Sequence, residues 1–260
     1  MIYANKSGIA NRPKKDRMSP EVYRKLIDLP IPFFAFFAFD LRINRAYSQP
    51  TPVTYRQTPW MKRPLDDPQA LEALLRPETH LERQLLDIPE FQCGLLWGEP
   101  RFGHPEGKVA LHIREVLDNI DLIRGLPETQ RGQLRLVAFV HDTFKYAEDR
   151  SHPRDWNKHH GLLARRFLEY YTADTLVLDI VETHDDAYYA WLGQKHELFG
   201  QENRHKSLDA LLARVGYCLQ LYYLFFKCDT QTGDKTQASL KWFERTVAGL
   251  ELAPVRESVE

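Results

Sequence analysis

The chain has 260 residues, 43% apolar and 12% aromatic, enough to bury a substantial core as one large domain or, as expected here, one domain with an extension. Thirty-five basic against 36 acidic side chains leave a formal charge of -1, which argues against the strongly basic field that nucleic-acid binding needs. Three widely spaced cysteines, Cys93, Cys218 and Cys228, with no Cys-x-x-Cys pair, support neither a disulfide framework nor a zinc-thiolate site and suit a reducing cytoplasm.

In chain order, the first seventeen residues carry Lys6, Arg12, Lys14, Lys15 and Arg17 but no apolar stretch, so they read as a basic tail rather than a signal peptide. A short helix is expected over 20–27, followed by an aromatic run over 31–39. That run is far shorter than the ~20 residues of a membrane helix, and Pro30 and Pro32 interrupt it, so no membrane partner is expected. A proline-rich stretch covers 49–64, and helical spacing returns over 67–75 and 79–86. Residues 1–95 therefore read as a less regular N-terminal extension. From residue 107 onward the pattern changes to long amphipathic segments, roughly 107–124, 128–146, 157–171, 174–191, 206–229 and 236–250. The expected class is all-α, with a helical bundle over 96–252.

The helical period places several potential ligands on apolar stripes. His112 lies with Val109, Val116, Ile120 and Ile123; His141 lies with Leu134, Val137 and Phe144; His184 lies with Val177, Val181, Tyr188 and Trp191. In 206–229, Asp229 ends a face built from Leu208, Leu211, Leu212, Val215, Leu219, Tyr222 and Phe226. Of the adjacent pair, His160 shares a face with Leu163, Ala164, Phe167 and Tyr171, whereas His159 aligns with Arg166 and Tyr170, so His160 is preferred. A lone inward histidine is more often a hydrogen-bonded core residue than a ligand, and a lone Asp229 would read as a cap or an ion-pair partner. Four inward histidines with Asp142 and Asp229 are harder to satisfy among themselves, and a cation satisfies the whole set. His80, His152, His196 and His205 read as surface residues. His104, in the loop before the first of these helices, reads as loop-shaping, with reach toward a substrate as the alternative.

The order His112, then His141-Asp142, then Asp229, on successive helices, resembles the HD-domain superfamily of metal-dependent phosphohydrolases over roughly residues 100 to 235. The segment from His104 to His112 and the Thr-Gln-Thr-Gly after Asp229 are similar to the corresponding stretches of several members. The resemblance implies an HD-type helical bundle. It also implies two ions: His112, His141 and Asp229 around one, His160 and His184 around the other, and Asp142 bridging. Lys145 matches a lysine of the binuclear cyclic-dinucleotide phosphodiesterases and of inositol oxygenase, where HD-type nucleotidases carry an acidic residue, which counts against a simple nucleotidase.

The donor types suit divalent first-row ions (Fe, Mn, Co, Ni or Zn) without choosing among them. The expected activity is hydrolysis of a phosphomonoester or phosphodiester in a nucleotide or small phosphorylated metabolite by metal-activated water. Asp142 and Lys145 are expected in the catalytic set, Lys145 as a charge for the phosphate or as a partner of Glu148 or Asp149. Asp185 is expected to orient His184 or assist proton transfer. His104, Arg150, Arg165 and Arg166 are candidates for binding the phosphorylated substrate, within a basic cluster that includes Arg154 and Lys158. The alternatives are an HD-type di-iron oxygenase acting on a small polar substrate and a non-catalytic nucleotide or metal sensor, the latter drawing on the 33–39 aromatic patch.

Overall fold

Nearly all the apolar stripes read from the sequence become inward faces of packed helices. The computed structural model describes residues 68–151 and 154–253. The expected helix at 20–27, the aromatic run, the proline-rich stretch and His152 lie outside the described residues. Among the described residues the regular structure is helical, apart from one isolated bridge between Arg101 and His104. None of these helices is long and apolar enough to cross a membrane.

Three short helices come first: α1 (Pro68–Leu75), α2 (His80–Leu86) and α3 (Pro89–Leu96). Thr79 and Glu82 close a capping box on α2, each side chain meeting the other's backbone N–H, and Pro89 opens α3 where a missing N–H does no harm. The two long helices follow, α4 (Val109–Asp121) and α5 (Glu128–Val140). Then come α6 (His160–Leu168), α7 (Thr175–Thr183), α8 (Asp186–Lys195), α9 (Glu197–Glu202), α10 (Leu208–Val215), α11 (Leu219–Thr230) and α12 (Ala238–Thr246).

Ile113, Val116 and Leu117 of α4, Val137 and Phe139 of α5, Ile180 and Val181 of α7, and Tyr222 and Phe225 of α11 are fully buried in one core. Leu75, Leu85, Phe91 and Leu95 belong to that same core, so the border expected at residue 95 runs through shared packing instead of separating two cores. Two buried arginines tie the early helices down. Arg114 of α4 donates to the Leu74 and Leu75 carbonyls at the end of α1. Arg135 of α5 forms a two-pronged pair with Glu82 at 3.0 and 3.1 Å, with both side chains almost wholly buried.

The structure divides two of the expected segments. Residues 174–191 become α7 and α8, broken at His184-Asp185, and 206–229 become α10 and α11, broken at Gly216–Cys218. At the second break glycine lowers helix propensity, and the Tyr217 hydroxyl turns aside to donate to Asp179 at 2.9 Å. Both 128–146 and 157–171 are shorter than expected, and α5 stops just before His141.

Candidate metal centre

Helix α5 ends because its own side chains take its last carbonyls. The His141 ring bends back so that Nδ1 donates to the Ala138 carbonyl at 2.9 Å, and the Thr143 hydroxyl donates to the Val140 carbonyl at 2.8 Å. The same device ends α7: His184 Nδ1 donates to the Val181 carbonyl at 2.8 Å. The Tyr222 hydroxyl pins that turn, donating to the Thr183 carbonyl and accepting from the Ala187 N–H. A carbonyl can only accept, so each ring carries a proton on Nδ1, and it is Nε2 that faces inward as the atom free to present a lone pair. His112 stands in the first turn of α4, and Asp229 in the last turn of α11.

His160 opens α6. His159 caps that helix, its Nδ1 accepting from the Gly161 N–H at 3.2 Å, and its Nε2 lies 3.4 Å from the Tyr189 hydroxyl. Both nitrogens of His159 are thus engaged, and His160 is the one that faces the cluster. Gly161 lets α6 approach α7 closely: a Cβ there would lie 2.7 Å from the Glu182 carbonyl oxygen.

Two groups of donors result. In the first, His112 Nε2 lies 2.9 Å from Asp229 Oδ1, 3.3 Å from His141 Nε2 and 3.6 Å from Asp142 Oδ2. His141 Nε2 lies 3.5 Å from Asp142 Oδ2 and 3.8 Å from Asp229 Oδ1. In the second, His160 Nε2 and His184 Nε2 are 3.1 Å apart and each is 3.4 Å from Asp142 Oδ1. Ligands bound about 2.0–2.2 Å from one ion stand roughly 2.8–3.6 Å from each other; the second set falls within that range, and so does the first apart from the 3.8 Å between His141 and Asp229. Asp142 gives one oxygen to each group. Its Oδ1 is buried without a hydrogen-bond partner. The His184 Nε2 lone pair faces this oxygen at 3.4 Å, an unfavourable contact that a cation between them would relieve.

The electrostatics fit that reading. Burial pushes the His141 imidazole down to about 3 despite Asp142, keeping it neutral and able to donate its lone pair. Burial opposes ionisation of Asp142, yet His141 and Lys145 hold it well below the usual carboxylate range; Lys235 and His112 do the same for Asp229. Burial also disfavours a charged His160, but Asp142, Asp185 and Glu148 outweigh it and push the ring up to about 10. A cation entering the second group would therefore displace a proton.

Carboxylates missed in the sequence stand behind two of the rings. Glu106 Oε1 lies 3.5 Å from His112 Nδ1 and 3.0 Å from His104 Nδ1. Glu148 Oε1 lies 3.4 Å from His160 Nδ1 and is held by Arg154 at 2.6 Å. Carboxylates behind metal-binding imidazoles fix their orientation and raise their basicity. Only proximity in the chain hinted at them: Glu106 is two residues from His104, and Glu148 directly follows the short helical turn Lys145–Ala147.

Lys145 Nζ lies 2.5 Å from Asp142 Oδ2, so its partner is Asp142 and not Glu148 or Asp149. Burial opposes its charge, but Asp142 and Asp185 hold its pKa above the usual lysine value. Asp185 does not support His184 from behind, because the Val181 carbonyl occupies that place. Its Oδ2 instead faces His160 Nε2 at 3.3 Å and His184 Nε2 at 3.6 Å, on the partly open side. His104 packs edge-on against His112 and lines a narrow pocket with Arg101, Asp142 and Lys145. Arg150 lies over Trp97, 5.2 Å from the ring centre.

Two expected substrate residues are engaged elsewhere. Arg165 pairs with Asp179, Glu182 and Glu169 across α6 and α7, and the exposed Arg166 donates to the Asn157 carbonyl. Neither lines the pocket at the centre. Residues on the outer face of α6 cannot reach a site that His160 meets from its first turn. Compared with family models, curated proteins and solved structures, the chain matches none.

Proposed function

We propose that this chain is a metal-dependent phosphohydrolase with an HD-type binuclear centre, acting on a phosphomonoester or phosphodiester of a nucleotide or small phosphorylated metabolite. The observation that carries the proposal is Asp142, which offers one oxygen to each of two groups of imidazole and carboxylate donors. His112, His141, Asp229 and Asp142 would hold one divalent first-row ion, and His160, His184 and Asp142 the other. Such ions supply a water with its pKa lowered to about 7 and positive charge for the phosphoryl oxygens.

The remaining roles fall to the protein. Asp185 lies next to the second group and is ionised: burial opposes its charge, but His184, His160 and Lys145 hold it well below the usual carboxylate range. Its Oδ2 can accept a hydrogen bond from the attacking water and fix its direction. As the water oxygen bonds to phosphorus and the ester oxygen leaves, Lys145 Nζ is the nearby proton-bearing group that can stabilise or protonate the departing oxygen.

The test combines elemental analysis of protein purified without chelators with a phosphate-release screen over nucleotides, cyclic nucleotides and sugar phosphates under anaerobic conditions. About two ions per chain and anaerobic phosphate release are expected. Oxygen consumption with a mixed-valent iron signal, and no phosphate released, would replace hydrolysis by oxygenation.

A further inference from the structure

Around the mouth of this centre lies a second feature that the hydrolytic roles leave unused. The loop between α3 and α4 is held tightly: the Arg101 and His104 backbones exchange hydrogen bonds at 2.9 and 3.1 Å, and the Gly103 N–H donates to Asp234 at 2.6 Å. Gly98, with φ 109°, lets this loop close on itself, since a Cβ there would lie 2.3 Å from the Gly107 carbonyl oxygen. The loop carries Arg101 to the pocket that Asp142, His112 and Lys145 also line.

Arg101 and Arg150 approach the same indole, Trp97, with guanidinium carbons 6.0 and 5.2 Å from its centre. Among the described residues Arg101 has no carboxylate within ion-pair distance, and Arg150 has only Glu148 at 3.8 Å. The two positive charges repel each other: burial first, and then the charge of Arg150, lower the tendency of Arg101 to stay charged. An anion between them would relieve that repulsion, and guanidinium groups resting on an aromatic ring are already oriented to grip it. Both arginines are exposed, so an anion held between them lies at the rim of that pocket.

We infer that Arg101 and Arg150, backed by Trp97, form a subsite for a second anionic group, so that the substrate carries two: a phosphoryl group at the metal centre and a further phosphate or carboxylate a few bonds away. The first half rests on the hydrolase reading; the second rests on the arginine pair alone.

The test is calorimetric binding to the full chain, with inorganic phosphate as the single-anion probe and methylenediphosphonate and phosphonoacetate as two-anion probes, one per anion type. Wild type should bind at least one two-anion probe more tightly than phosphate by about tenfold to a hundredfold, the scale of an added hydrogen-bonded charge pair. Arg101→Gln with Arg150→Gln should abolish that preference. Arg166→Gln, on the outer face of α6, should leave it unchanged. No preference in wild type, or a preference that survives in the double variant, overturns the subsite. Metal content of the same samples separates the two readings. An arginine-dependent preference in protein that takes up no metal keeps the subsite and sinks the hydrolase; metal-loaded, phosphate-releasing protein without the preference does the reverse.

Discussion

Replacing Gly94 with alanine tests whether the early helices hold the candidate metal centre in place. Gly94 lies in α3, and a Cβ built there would stand 1.8 Å from the Thr143 carbonyl oxygen, whereas ordinary contact begins near 3.4 Å. Helix and turn would have to separate by about 1.5 Å, and the obstacle is backbone in a close-packed interior, not a side-chain end that can swing away. Two effects oppose each other. Alanine improves helix propensity over glycine by about 1 kcal/mol. Overpacking costs about 1–3 kcal/mol, and a 1.8 Å approach to a backbone oxygen belongs in the upper part of that range, so the net effect is destabilising. A net loss of about 1–2 kcal/mol lowers the melting temperature by roughly 2–8 °C for a chain of this size. The larger consequence is at the centre, because Thr143 directly follows Asp142 and ligand geometry tolerates displacements of only about 0.5 Å. Thermal unfolding in chelator, followed by metal reloading and elemental analysis, should show a lower melting temperature and incomplete reloading. Gly132→Ala in α5 is the control: nothing stands within 4 Å of its Cβ, so it should leave stability equal or higher. If Gly94→Ala matches that control in both readouts, α3 does not position the Asp142 turn.

Other outcomes follow from the same geometry. Asp142→Ala removes an oxygen from both donor groups, so metal content and activity should fall together; full metal stoichiometry in this variant contradicts a bridging role. Glu82→Gln leaves the buried Arg135 guanidinium with only Glu78, an exposed carboxylate shared with Arg131, as its acidic partner and should cost about 1.5–3 kcal/mol in urea unfolding; a loss below about 0.5 kcal/mol would show the pair is not needed. For Asp179, burial opposes ionisation, but Arg165, Tyr217 and Arg214 hold it below the usual carboxylate range. A depressed folded pKa stabilises above the unfolded value of about 3.9 and loses that contribution as pH falls through the folded value. The stability gap between wild type and Asp179→Asn should therefore narrow as the solution is acidified from neutrality, and a gap that widens would reverse the assignment.

The helical class was legible because amphipathic periodicity is strong over 107–124 and 128–146, and stripes such as Val109, His112 and Val116 are buried as a set. Where helices end was not legible. His141 and His184 each lie on an apolar stripe, and periodicity alone carries the helix past them. The structure stops both helices because an imidazole competes for a carbonyl three residues back, a local hydrogen bond that a hydrophobic pattern does not encode. The inward sense of His112, His160 and Asp229 was readable from spacing, since the cost of burying an unpaired polar group makes such positions informative. Glu106, Glu148 and Arg101 were not, because they sit in loops where no period assigns a face. The basic cluster misled in part for the opposite reason: Arg165 and Arg166 lie near His160 in sequence, but one turn of helix rotates them away from it.

One construction occurs twice at this centre. His141-Asp142 and His184-Asp185 each begin one residue past the end of a helix, α5 and α7, with the histidine still in right-handed helical geometry (φ -48° and -54°). In both, Nδ1 is consumed by the helix's own carbonyl, Nε2 is left bare, and the following aspartate points toward the same side as that nitrogen. Asp229 adds a third helix end, the last turn of α11. The C-terminal end of a helix carries partial negative charge worth about 0.3–1 kcal/mol to a nearby cation, but His112 in the first turn of α4, His160 at the start of α6 and Asp185 before α8 bring helix N-termini of opposite sign to the same cluster. The helix ends therefore give the cluster no one-sided field, and its negative charge comes from the carboxylates of Asp142, Asp185 and Asp229. Lys145 and Lys235, resting on Asp142 and Asp229, offset part of that charge in this structure.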